Sequence, residues 1–126
     1  MIVLDTHALI WWTLEPARLG RKVQRAIETE DRVGVPAIVF WEVALLARRG
    51  YVTLGTTVAE WMRDVLSLAR LEVLPLTAEI AVRAEELAMH PDPADRFIVA
   101  TALHHGSSLA SRDKAIQKSK LVATVW

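Results

Sequence analysis

Short apolar runs recur along this chain, each separated from the next by stretches of helical periodicity, and that alternation constrains the fold more than any other feature. The runs are Ile2–Leu4, Val33–Val35, Leu71–Leu74, Leu109–Ala110 and Leu121–Val125. Ile2-Val3-Leu4 has no polar alternation, so it suits a strand buried on both faces. Strands alternating with helices imply right-handed βαβ crossovers, and hence a parallel sheet covered by helices on both sides.

The intervening segments carry their own signals. His7 to about Leu14 reads as a short helix broken at Pro16, and Arg18–Glu30 places Leu19, Val23, Ala26 and Ile27 at helical spacing. Pro36 suits the first turn of a helix that runs to about Arg49 and stops at Gly50. Val58, Trp61, Met62, Val65 and Leu66 predict an amphipathic helix over 57–69. Thr77 is an expected N-cap for a helix through Ala88, and Asp92-Pro93 opens another that ends near Gly106. A short helix over 112–118 precedes the last strand.

At 126 residues, with no linker, repeat or low-complexity segment, the chain reads as one domain over 1–126. It has no cysteine, so disulfides and thiolate metal sites are excluded and any metal is held by oxygen or imidazole. That usage fits a cytoplasmic protein. No window approaches an uncharged apolar stretch of about 18 residues, which argues against a membrane span, and Asp5 interrupts the apolar start before it could serve as a signal peptide. Fifteen basic residues balance fifteen acidic ones. With no net field to attract a polyanion, binding one requires a local basic patch or a bound cation.

Four acids stand where acids are unexpected or useful. Asp5 falls where the first strand leaves the sheet, at the edge where open α/β sheets bind ligands. Glu42 is the only polar side chain in AIVFWEVALLA (37–47) and lies in the apolar stripe, where an ionised carboxylate is costly unless paired or metal-bound. At a stripe edge it would instead reach water or an arginine. Asp95 occupies the third position of the helix that Asp92 opens, where the helix dipole alone could explain it. N-capping accounts for Asp92, which is left outside the site. Asp113 follows Leu109-Ala110 at a strand exit like that of Asp5, although a lone loop acid there is ordinarily solvated.

Asp5, Glu42, Asp95 and Asp113 together would lie along one edge of a parallel sheet. Like charges about 4 Å apart repel by roughly 4 kcal/mol per pair at an effective dielectric of 20, so such a cluster makes sense around cations. All-oxygen ligation suits Mg²⁺ or Mn²⁺. Four histidines show no metal-ligand spacing. Trp11, Trp12 and Trp61 read as core or dimer contacts, and neither GxGxxG nor GxxxxGK[ST] occurs.

The segments LDTHALIWW (4–12), PAIVFWEVALLARRG (36–50), HPDPADRFIVATAL (90–103) and LASRDKAI (109–116) make the chain resemble PIN-domain ribonucleases of the VapBC toxin–antitoxin type. The resemblance implies a three-layer α/β/α sandwich with a central parallel sheet of four to five short strands. It also implies Mg²⁺- or Mn²⁺-dependent endoribonuclease activity, a homodimer, and a cognate antitoxin as partner. The family's acidic metal and catalytic positions fall on Asp5, Glu42, Asp95 and Asp113. Thr6 matches a supporting hydroxyl, and Ser111 stands where threonine is more usual. Arg96 and Arg112, beside two of the acids, are candidate RNA contacts. The competing readings are a catalytically silent module that binds RNA or a partner, and a phosphoacceptor signalling domain. The latter needs an acid pair near the first strand, which Asp5 lacks.

Overall fold

A computed structural model describes all 126 residues. Five strands form one sheet: β1 (Ile2–Leu4), β2 (Val33–Pro36), β3 (Leu71–Leu74), β4 (Ser108–Ala110) and β5 (Thr124–Val125). Every neighbouring pair is parallel, in the order β3-β2-β1-β4-β5. The helices are α1 (Thr6–Leu14), α2 (Arg21–Thr29), α3 (Ala37–Arg48), α4 (Val58–Leu66), α5 (Ala78–Glu86), α6 (Pro93–His104) and α7 (Lys114–Ser119). They flank the sheet in the three-layer α/β/α arrangement that the alternation implies.

The strand order explains where the site falls. From β1 the chain adds β2 and β3 on one side, then crosses to the other side for β4 and β5. The order therefore reverses at β1, and the crevice beyond the carboxyl ends of β1 and β4 is the ligand-binding position of open α/β sheets. Ile2, Val3 and Leu4 are no more than 2% exposed, as a central strand covered on both faces requires. They belong to a 24-residue core that also contains Leu9, Val35, Val43, Ile98 and Leu109.

Several boundaries differ from the sequence expectation for physical reasons. The helix expected over Arg18–Glu30 is a 3₁₀ turn at Pro16–Arg18 followed by α2, because the backbone breaks at Leu19-Gly20. A Cβ on Gly20 would lie 2.7 Å from Trp126, so the close approach of that indole requires glycine. Pro36 ends β2 and sits at the N-cap of α3 rather than inside it. The α4 stripe is only partly covered: Trp61 and Val65 are buried, while Val58, Met62 and Leu66 are exposed. The last strand shortens to Thr124–Val125, since Lys120 adopts a left-handed conformation and the chain turns through 121–122. The caps at Thr77 and Asp92 are as expected, each accepting from the N–H three residues on.

Candidate active site

Three of the acids that enter the crevice are helix caps. Asp5 leaves β1, donates its N–H to the Ala110 carbonyl of β4 (3.1 Å), and accepts the Ala8 N–H on Oδ1 at 2.8 Å, starting α1. Asp113 follows β4 and caps α7 by accepting the Ile116 N–H (2.9 Å). Asp92 caps α6 by accepting the Asp95 N–H (3.2 Å). The positive ends of three helix dipoles are thus set against the negative charge that gathers there. Glu42 enters from the middle of α3 and Asp95 from the first turn of α6.

All five carboxylates line one cleft of about 460 Å³. Asp5 is 8% exposed, Asp95 and Glu42 are half-buried, and Asp92 and Asp113 reach solvent. The Thr6 hydroxyl donates to Glu42, fixing that carboxylate beside Asp5. Ser111 is fully buried, and its hydroxyl accepts the Asp113 N–H at 3.1 Å. The two hydroxyl residues named from sequence therefore brace the acids.

The electrostatics are those of crowded negative charge. Burial pushes the Asp5 carboxyl above its usual range; the Ser111 hydroxyl, the Ala8 N–H and the nearby His7 pull the other way, and Asp113 adds to the rise. Asp95 is pushed up to about 7, by burial first and then by the charges of Asp92, Asp113, Glu42 and Asp5. None of the five pairs with lysine or arginine; His90 Nε2, 3.4 Å from Asp95, is the one imidazole contact. A set of oxygen donors with so little cationic compensation is chemically suited to a hard divalent ion. No three of these side chains are already arranged to hold one, so ligation requires some of them to turn.

The structure brings together Asp5, Thr6, Glu42, Asp95, Ser111, Arg112 and Asp113; it decides between two readings of Glu42 and corrects the expectations for Asp92 and Arg96. Glu42 sits at the cleft edge of its stripe and is only half-buried. Asp92, set aside as a cap, is both a cap and part of the cleft wall. Arg96 does not line the cleft. Its guanidinium donates to the carbonyls of Ala84, Glu85, Leu87, Met89 and His90, binding the α5–α6 connection to α6. Sequence reading also missed His7, Trp11 and Arg18 in the lining. Arg18 arrives by the 3₁₀ turn, which no periodicity announced.

The PIN domain family matches residues 2–120 of this chain. Ribonuclease VapC22 of Mycobacterium tuberculosis is 34% identical over 129 residues, covering 99% of this chain and 98% of that protein. Among solved structures, VapBC2 from Rickettsia felis bound to a fragment of promoter DNA superposes with a TM-score of 0.73 at 15% identity, covering 99% of this chain and 98% of that one. A toxin–antitoxin complex from Klebsiella pneumoniae gives 0.70 at 21% identity, covering 100% and 97%. At these identities the structures establish likeness of fold.

Proposed function

The chain belongs to the PIN-domain family, and from that premise we propose that it is a Mg²⁺- or Mn²⁺-dependent endoribonuclease acting as the toxin of a toxin–antitoxin pair. The observation that carries the reading is the single cleft into which five carboxylates project without a lysine or arginine partner. A ribonuclease name on a relative of 34% identity over nearly the whole chain supports RNA as the substrate.

Asp5, Glu42, Asp95 and Asp113 are the residues that hold the metal in this reading. When bound, the ion lowers the pKa of a water and offsets charge on the scissile phosphate. Burial and the neighbouring acids hold the Asp95 carboxyl up at about 7, so a cation bound there would displace its proton and its affinity would rise with pH. Thr6 orients Glu42, and Ser111 holds the turn from which Asp113 projects. Arg112 stands at the cleft for the RNA backbone. A cognate antitoxin and a homodimer complete the proposal, in keeping with the family resemblance and with the exposed apolar residues Val58, Met62 and Leu66. No helix is long and apolar enough to cross a membrane.

The test is incubation of purified protein with total cellular RNA in EDTA, Mg²⁺ or Mn²⁺, with the new ends mapped. Cleavage is expected with metal only, and Asp95→Asn should abolish it. Equal cleavage by Asp95→Asn, or full activity in EDTA, would overturn the assignment.

A further inference from the structure

Beside the carboxylate cleft lies a second trough of about 350 Å³, and the two share His7, Trp11 and Arg18 as a common ridge. Trp11 is the fixed base of that ridge. It is 6% exposed and backed edge-on by Trp126 at 5.4 Å, so its own ring offers no free face to a nucleobase. Instead it carries two cations, the Arg18 guanidinium 4.5 Å and the Arg112 guanidinium 5.3 Å from the ring. These are the only lysine or arginine side chains lining the acidic cleft. Arg18 is half-exposed and its one acidic partner is Glu15 at 3.3 Å, a solvated pair that a phosphate can displace. In the trough beyond stands Tyr51, 75% exposed.

We propose that this ridge and trough form a nucleotide subsite for single-stranded RNA next to the scissile phosphate. Arg18 and Arg112, held over Trp11, grip backbone phosphates, while Tyr51 stacks on the adjacent base. A phosphodiester chain entering an acidic cleft needs cations along its path, and planar guanidiniums set in advance on an aromatic base lose little freedom on binding. Base stacking on an exposed aromatic ring demands an unpaired strand. The position next to the cut bond rests on the nuclease reading; the RNA contact itself does not.

The experiment measures binding of a fluorescein-labelled single-stranded RNA and of a duplex of equal length by polarisation in Ca²⁺, with cleavage of total RNA in Mn²⁺ alongside. Tyr51→Ala should raise Kd for the single strand by about five-fold or more, and Tyr51→Phe should stay within about two-fold, with no change for the duplex. Arg18→Ala and Arg112→Ala should each reduce the salt slope of single-strand binding by about 0.7. Arg18→Lys should keep the slope and lose affinity, because it retains charge without the planar stack. Unchanged single-strand binding by Tyr51→Ala, or an unchanged slope for Arg18→Ala, overturns the subsite even if the wild type cuts RNA, and leaves the ridge to protein contacts. The expected binding changes in a protein that does not cut overturn the nuclease reading and uphold the subsite.

Discussion

Replacing Asp95 with asparagine should stabilise the metal-free protein, and only above the acid range. In the folded chain this carboxyl is raised from 3.8 to about 7, chiefly by burial and then by Asp92, Asp113, Glu42 and Asp5. A raised acid favours folding while protonated. Its contribution is fully present below pH 4, declines as pH climbs, and is gone once the pH passes about 7, where the fold carries a buried charge. Taken whole, that rise corresponds to roughly 4 kcal/mol. The side chain keeps 23% of its exposure, and solvent screening brings the expected gain nearer to about 2 kcal/mol. Loss of the 3.4 Å contact to His90 works against it. For a domain of this size the melting temperature should rise by roughly 8 °C at pH 8 in EDTA, with near parity at about pH 4. Melts followed by circular dichroism across that range provide the measurement. Millimolar Mn²⁺ should then raise the wild type, by about 2.7 kcal/mol at a hundredfold excess over Kd, and raise the variant less. A difference independent of pH, or a wild type that is the more stable at pH 8 in EDTA, would refute the reasoning.

Arg96→Ala should cost about 3 kcal/mol in urea unfolding, because five carbonyls lose one charged donor, and Arg96→Lys should recover little of it. A loss below about 0.5 kcal/mol would return Arg96 to the surface and reopen its role in RNA binding. Gly20→Ala should cost about 1–3 kcal/mol through its collision with Trp126, and an unchanged urea midpoint would show that the indole gives way. Asp113→Ala should be about 1 kcal/mol less stable than Asp113→Asn in EDTA, since both remove the charge and only asparagine can cap α7. Equal melting points would deny the cap its worth.

What could be read from the sequence was local. Ile2–Leu4 announced a central strand because burial on both faces removes polar alternation, and Thr77 and Asp92-Pro93 announced helix starts because a cap needs only the next three residues. Features made by distant partners were invisible. Gly20 interrupts a well-patterned stretch, and glycine is needed there because Trp126, from the far end of the chain, lies against it. Arg96 looked like an RNA contact because nothing in HPDPADR shows that carbonyls from 84–90 converge on its guanidinium. Glu42 read equally as a buried stripe residue or a stripe-edge one, because its neighbours are all apolar and the pattern does not tell Val43, which is buried, from Trp41, which is exposed; the structure turns it to the cleft. In the sequence, capping alone accounts for Asp92; in the structure a cap and a place in the cleft wall coincide there and at Asp5 and Asp113.

That coincidence changes what each acid can testify to. A descendant of this chain that had ceased to cut RNA would still need caps on α1, α6 and α7, so Asp5, Asp92 and Asp113 could persist in it for folding alone. Glu42 and Asp95 cap nothing, and the raised carboxyl of Asp95 burdens the metal-free fold. Under the proposed metal-binding role, these two residues are the informative pair in telling active relatives from silent ones: a chain with no cation to hold would be free to replace them first.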